Sequence, residues 1–326
     1  MKVLVLGGAG YIGAHVCKAL AVRGDDPVVF DNLSAGRRDF VKWGALVEGD
    51  IRDADALDRA FRAHRPDAVM HFAASIEVGI GEAQPLAFWD NNVAGSLRVL
   101  EAMRRQGCEA LVFSSTCAVY GAPQALPLTE DHPRHPINTY GRTKLAVEQM
   151  LEAGERAGGP RAAALRYFNA SGASPDGEIG EEHDPETHLI PNALKAAAGL
   201  GGAMKLFGLD YDTPDGSCVR DFIHVDDLAQ GHLSALDRLA AGHAGFACNL
   251  GTGCGVSVLE ALGAVEKIIG RPVPVEHAAR RPGDAPSLFS DTARAKDLLG
   301  FQPVRSDIET IVGDAWRYHA PRWGAA

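Results

Sequence analysis

The stretch that decides the fold is "KVLVLGGAGYIGAH", residues 2–15. Its opening "KVLVL" is apolar without alternation, which predicts a strand buried on both faces. It runs directly into Gly7, Gly10 and Gly13, spaced G-x-x-G-x-x-G, and these open a helical pattern from about Tyr11 to Arg23. Glycine lets a backbone turn sharply and approach a pyrophosphate. The helix behind it then offers free N–H groups to the negative charge, as in the dinucleotide-binding turn. Alone the motif is weak, because glycine-rich turns also serve plain packing.

The next strand gives it weight. "VVFDN" ends in Asp31, eighteen residues beyond Gly13. An acid there accepts hydrogen bonds from an adenosine ribose diol and repels a 2′-phosphate, which favours NAD over NADP. Arg37 and Arg38 count the other way and read as solvated loop charges.

Further out, "PVVF", "ALVEG", "DAVMHFAA" and "ALVFSS" alternate with helical patterns at about Asp53–His64 and Pro85–Gln106. Apolar runs alternating with helices predict an α/β fold, a Rossmann-type doubly wound parallel sheet. "GAPQALPLTEDHPRHP", residues 121–136, carries four prolines and reads as a loop. It leads to a helix at about Asn138–Arg156 and a strand, "AAALRYF". After about residue 170 the alternation becomes irregular. The expected division is an NAD-binding domain at 1–170 and a smaller C-terminal α/β substrate-binding lobe at 171–326, with some segments returning to the first domain.

Composition narrows the class. The chain has 326 residues, 46% hydrophobic and 23% charged, with a net charge of −10. That is ordinary for a soluble globular protein and argues against a nucleic-acid surface. No apolar run reaches the ~18 residues of a membrane span. Six cysteines, no Cys-x-x-Cys and no signal-type start predict reduced thiols and a cytoplasmic location. His132 and His135 lie among prolines, and no metal is expected.

"NTYGRTK", residues 138–144, places Tyr140 and Lys144 on one helix face, beyond the strand end that carries Ser115 and Thr116. A free phenol has a pKa of about 10 and is a poor base near neutrality. A nearby ammonium, with the positive nicotinamide ring, is expected to lower that value. A hydroxyl from Ser115 or Thr116, the phenol and the ammonium form a set for an alcohol/ketone pair.

The chain resembles the extended short-chain dehydrogenase/reductase family, and within it the UDP-glucose (UDP-galactose) 4-epimerases. The ordered series "GGAGYIGAH", "DNLSAG", "GDIRD", "HFAA", "NNVAGS", "SSTCAVYG", "YGRTK", "LRYFNASGA", "THLIP", "DGSCVRDFIHVDDLA", "NLGTG" and "RRPGD" carries the resemblance. The resemblance implies Tyr140 as proton acceptor, Lys144 as the group on the nicotinamide ribose, and Thr116 as the catalytic hydroxyl. It implies NAD contacts from Tyr11, Ile12, Asp31, Asn32, Asp50, Ile51, Phe72, Ala73, Asn91 and Phe168. UDP-sugar contacts are implied for Asn169, His188, Leu189, Phe207, Arg220, Arg281 and Asp284. Phe207 would flank the uracil, the two arginines suit a diphosphate, and Leu288 would line the sugar pocket. A homodimer is also implied. Ile76 and "VGIGEAQP" depart from the pattern, and Ile76 stands where some relatives carry a lysine.

The implied reaction is UDP-glucose/UDP-galactose interconversion through a transient 4-keto sugar, with NAD taking and returning the C4 hydride. The nearest alternatives are epimerases of UDP-N-acetylglucosamine or UDP-pentoses. A dehydratase or decarboxylase is a further rival, but dehydratases in the family place acids just after the Thr, where this chain has Cys117 and Ala118. A non-catalytic dinucleotide sensor is disfavoured by intact Tyr140, Lys144 and Thr116.

Overall fold

The computed structural model describes residues 1–281 and 283–325; Pro282 of "RRPGD" and Ala326 lie outside the described residues. Six strands come first: β1 (Lys2–Leu6), β2 (Asp26–Asp31), β3 (Ala45–Glu48), β4 (Ala68–His71), β5 (Ala110–Thr116) and β6 (Arg161–Tyr167). Four short strands follow, β7 (Asn169–Ser171), β8 (Met204–Phe207), β9 (Val219–Arg220) and β10 (Phe222–His224). Then come β11 (Phe246–Leu250), β12 (Val256–Ser257), β13 (Val275–Ala278) and β14 (Ser287–Leu288). The helices are α1 (Tyr11–Arg23), α2 (Ala54–His64), α3 (Val78–Ala83), α4 (Pro85–Phe88), α5 (Gly95–Gln106), α6 (Thr139–Arg156), α7 (Leu189–Ala197), α8 (Val225–Ala240), α9 (Val258–Ile269), α10 (Ala293–Leu299) and α11 (Ile308–Trp323).

Seven strands form one parallel sheet in the order β11-β6-β5-β4-β1-β2-β3. The uninterrupted apolar run of β1 has the reason expected: Val3, Leu4, Val5 and Leu6 are fully buried between helical layers. Each such burial is worth roughly 1.5–3 kcal/mol. On one face α1 and α8 close a core around Val5, Val16 and Leu236. On the other, α2, α5 and α6 cover Leu4, Phe61, Val99 and Val147. A separate core joins α7, α9 and α11. β11 returns to the sheet edge beside β6 from far along the chain.

Helix starts follow local capping. Asp53 accepts from Asp55 N and Ala56 N, and Asn138 accepts from Gly141 N, so each of these residues is the cap and its helix begins one residue later. The long helix expected over 85–106 is continuous but takes a π-helical turn at Trp89–Ala94 between α4 and α5. There Asn92 is turned inward. It accepts from Ser75 N at 2.8 Å and donates to Ser75 O and Thr143 Oγ1, both at 3.0 Å.

The strand order reverses between β1 and β4, with Leu6 flanked by Phe30 and His71. The C-terminal strand ends at such a switch point form the ligand crevice of doubly wound sheets.

Candidate active site

At that crevice lies a cavity of about 760 Å³. Its floor is the glycine turn, and the three glycines serve different needs. Gly7 has a φ of +79°, and a Cβ there would meet Ala73 N at 2.6 Å. A Cβ on Gly13 would come 2.2 Å from Gly7 O. Gly10 is nearly free of protein, its Cβ approaching only Gly7 O at 3.4 Å. Gly10 also starts α1 with no side-chain cap, leaving the first N–H groups of the helix to a ligand. Asp31 reaches the cavity with each carboxylate oxygen holding one backbone N–H, Ala9 at 3.0 Å and Leu33 at 2.8 Å. Burial pushes this carboxyl up, and those two donors oppose the shift. Lone pairs remain for a diol. An open glycine, an uncapped helix start and an acid at the end of β2 fit a dinucleotide with an unphosphorylated ribose.

Of the other expected cofactor residues, Tyr11, Ile12, Asn32, Ile51, Phe72, Ala73, Asn91 and Phe168 line the cavity. Tyr11 is anchored through its hydroxyl to Gly172 O at 2.8 Å. Asp50 stands behind the wall, accepting from Asn32 Nδ2 at 3.0 Å and pairing with Arg52. Ile76, at the departure from the resemblance pattern, also lines the cavity.

Thr116, Tyr140 and Lys144 face the same space. The choice between Ser115 and Thr116 resolves by direction. Ser115 is fully buried and donates to Glu148 Oε1 at 2.5 Å, away from the cavity. Thr116 accepts from Ala118 N at 3.1 Å, and its hydroxyl favours the Tyr140 phenolate. Lys144 Nζ donates to Ser114 O at 2.8 Å and lies 5.8 Å from the Tyr140 ring centre.

The expected lowering of the Tyr140 pKa draws on the nicotinamide charge as well as on Lys144, and the protein's own groups do not supply it alone. Burial drives it upward, Tyr167 adds to this, and the Thr116 hydroxyl opposes it. Lys144 is itself pushed down to about 7 by burial, with Glu148 opposing. A desolvated ammonium that gives up its proton near neutrality is a weak electrostatic partner, which sequence spacing does not reveal.

The substrate set divides. Asn169 and His188 line the cavity. Leu189 is the first residue of α7 and packs into the core around that helix. Arg220, Arg281 and Asp284 form their own cluster. Asp284 takes Arg281 Nε at 3.0 Å and stands 3.7 Å from Arg220 Nη2. Arg220 also donates to Val219 O and Ala285 O, both at 2.9 Å. Phe207 has its ring covered by the Arg281 guanidinium at 4.7 Å. Leu288 pairs in register with Arg220 and packs, as Cys117 and Phe168 do, against the core of Val119, Tyr120 and Leu128. The Cys117 thiol is pushed up to about 12 by burial, too high for a reactive thiolate.

Two groups escape a reading by motif. Behind β5, buried Arg166 grips Glu148 with two bonds of 2.9 and 2.7 Å and donates to Tyr120 Oη at 2.9 Å. The i, i+4 spacing of Lys144 and Glu148 on α6 was the available signal. In the cavity wall, Glu181 and His183 join His188, with Glu186 beside them. Burial raises Glu181 to about 7. Burial acts against a charged His188 ring, but Glu186 and Glu181 overcome it and hold the ring near 9. The residue types and close spacing of 181–188 are visible in the sequence, yet among the twelve histidines no pairing reads there as a ligand set.

The model of the NAD dependent epimerase/dehydratase family matches residues 3–251. The chain is 52% identical over 318 residues to a UDP-glucose 4-epimerase of Rhizobium leguminosarum bv. trifolii, covering 98% of this chain and 97% of that one. Among solved structures it is similar to a Brucella ovis UDP-glucose 4-epimerase in complex with NAD. The TM-score is 0.96 at 50% identity, with 99% and 98% of the two chains covered. A Bifidobacterium longum UDP-glucose 4-epimerase in complex with NAD+ and UDP gives a TM-score of 0.93 at 35% identity over 100% of both chains.

Proposed function

The chain belongs to the NAD dependent epimerase/dehydratase family, and from that premise we propose that its cavity interconverts UDP-galactose and UDP-glucose at sugar C4. It is an NAD-dependent enzyme, as its relatives are by name and by bound cofactor. The observation that carries the reaction is the convergence of Thr116, Tyr140 and Lys144 on the space above the glycine turn.

Bound NAD supplies a hydride acceptor at C4 that also returns the hydride. The chain's own residues handle the rest. Thr116 holds the sugar O4 through its hydroxyl. Tyr140 takes the O4 proton at Oη and gives it back once the sugar has turned its other face. Lys144 binds the nicotinamide ribose, and its ammonium acts with the cofactor's positive charge against the burial that holds the Tyr140 proton. Gly10, Tyr11 and Ile12 receive the pyrophosphate, Asp31 the adenosine ribose. Asn169 and His188 bind the UDP-sugar within the cavity, and Arg220, Arg281, Asp284 and Phe207 its nucleotide end. Residues 1–170 serve the cofactor and residues 171–326 mainly the sugar nucleotide.

The test is to incubate purified protein with UDP-galactose and no added NAD. UDP-glucose should accumulate to equilibrium, and denaturation should release NAD. A 4-keto-6-deoxy product would instead favour the dehydratase reading.

Substrate range is set at Leu288, smaller than tyrosine but not small. The N-acetylated pair should turn over more slowly than the glucose/galactose pair, by tenfold or so, within the roughly 1–3 kcal/mol that one methylene's worth of wall supplies. Leu288→Tyr should remove most of the remaining N-acetyl activity, read as kcat/KM for both pairs; full retention would acquit Leu288.

The quaternary reading is a homodimer. Val78, Ile80, Leu86, Trp89 and Leu97 leave apolar surface exposed on α3, α4, α5 and the turn between them, Leu86 at 81%. A patch of this kind favours a partner surface. Leu86→Glu with Leu97→Glu should halve the mass seen in sedimentation. Unpaired buried Cys17, Cys108, Cys218 and Cys248 support residence in the reducing cytoplasm. Among the described residues no helix is long and apolar enough to cross a membrane.

A further inference from the structure

Glu181, His183, Glu186 and His188 crowd one point in the cavity wall, on the segment that leads into α7. One donor atom from each lies within 4.8 Å of the others. His188 Nδ1 is 3.0 Å from carboxylate oxygens of both Glu181 and Glu186. His183 Nδ1 is 3.6 Å from the same two groups. We propose that these four side chains form a binding site for a divalent transition-metal ion of the zinc type.

Zinc bonds of 2.0–2.2 Å to nitrogen and oxygen put ligand atoms about 3.3–3.5 Å apart. The His–Glu separations of 3.0 and 3.6 Å fall on either side of that value, with His183 and His188 facing different oxygens of Glu186. With one atom taken from each side chain the set spans up to 4.8 Å, so the four groups would draw together around the ion. Hydrogen bonding accounts for only part of the cluster. An imidazole Nδ1 carries at most one proton, yet that of His188 faces two carboxylates. Glu186 is served elsewhere, by the N–H groups of Thr187 and His188 at 2.8 Å. Glu181 is only 3% exposed and accepts no backbone N–H among the described residues. At 3.6 Å, His183 Nδ1 is beyond hydrogen-bond distance of either carboxylate and is buried without a partner. A buried carboxylate and an orphaned ring nitrogen aimed at one point are the groups that a cation would satisfy together.

The donor chemistry selects the ion. Two imidazoles with two carboxylates suit zinc and its neighbours, whereas calcium and magnesium prefer oxygen alone. Both histidines would bind through Nδ1, leaving Nε2 of His188 for the cavity. The ion would fix that ring and pin the segment before α7 to the wall, where His183 meets the Tyr11 ring at 6.4 Å. The inference shares His188 with the epimerase reading, but its test by metal retention and cobalt spectrum does not depend on epimerase activity.

The experiment uses the full chain stripped with chelator and then dialysed against zinc sulfate, followed by metal-free buffer. One equivalent of zinc per chain should remain by elemental analysis. Cobalt should replace it with the intense visible absorption of a four-coordinate site. His183→Asn and Glu181→Gln should each retain less than a tenth of an equivalent and lose the cobalt bands, with circular dichroism and melting showing a folded chain. Zinc retained equally by the parent and both folded variants would mean adventitious binding and overturn the site, as would no retained zinc in the parent. If either variant fails to fold, the cobalt spectrum of the parent decides alone: an octahedral spectrum rejects the site.

Discussion

The cavity above the glycine turn and the separate arginine cluster proposed for the nucleotide are built from different material. In the cavity the groups offered to the cofactor are mostly backbone. Gly7, Gly10 and Gly13 shape it, the uncapped start of α1 charges it, and Asp31 is held by two N–H groups. In the cluster they are long side chains already paired with one another: Arg220 and Arg281 on Asp284, and Arg281 over Phe207. A backbone site costs nothing further to organise when its ligand arrives. A side-chain site must first give up its internal pairs, and that makes it the adjustable half.

Gly13→Ala attacks the first half hardest. Its Cβ would stand 2.2 Å from Gly7 O, so the turn itself must move. The variant should lose nearly all bound NAD and melt well below the parent. Gly10→Ala sharpens the point, because its Cβ meets little protein. It should melt close to a parent stripped of cofactor yet still fail to retain NAD. If both variants hold NAD as the parent does, the backbone account of this end is wrong.

At the junction of the halves, Tyr140→Phe should cut kcat by roughly 10²–10⁴, the usual worth of acid–base catalysis, with UDP affinity little changed. Thr116→Ser should keep most activity and Thr116→Val lose most of it. Near-normal turnover in Tyr140→Phe would remove the phenol from the chemistry.

In the side-chain half, Arg220→Lys should raise KM for the sugar nucleotide about tenfold, the scale of one charge-assisted hydrogen bond, while NAD content stays that of the parent. A fall in NAD content with KM unchanged would reverse the assignment of the two ends.

The smallest effect concerns stability. Burial lowers Lys144 from 10.5 to about 7. Between those values the unfolded chain holds a proton that the folded chain has released, so this group's contribution to stability rises with pH through that window. Below pH 7 the full cost of burying the ammonium is present. In cofactor-free protein, Lys144→Met should therefore be more stable than the parent at pH 6 by roughly 0.5–2 kcal/mol. The gap should close toward pH 10 in thermal melts. A less stable variant at pH 6 would show that the bond to Ser114 O outweighs the desolvation.

What could be read in the chain before its structure follows the same division. β1, the glycine turn and Asp31 are contiguous or nearly so, and their roles are local. The helices containing Tyr140 and Pro85–Gln106 announce themselves by caps and apolar runs. Ser115 and Thr116 are adjacent and chemically alike, and only the opposite faces of a strand separate them. The upward push on Tyr140 depends on burial by distant segments and on the neighbouring phenol of Tyr167. Arg166 and Glu148 meet across a strand and a helix. Asp284 looks like one more acid after a glycine until two arginines are found upon it.

The π-helical turn at Trp89–Ala94 has a consequence best put in codons. Such a turn is an α-helix carrying one residue more than its ladder can absorb. Removal of a single codon there would restore an ordinary α-helix and leave the turns on either side near their present phase, because the bulge is where the extra residue is taken up. The loss would be local: Asn92 could no longer hold both Ser75 and Thr143. An in-frame deletion that keeps the helix and its core contacts would thus still unlatch the cavity wall at Ser75. The same codon removed from the regular turns of α5 would instead rotate one end of the helix by about 100° against the other.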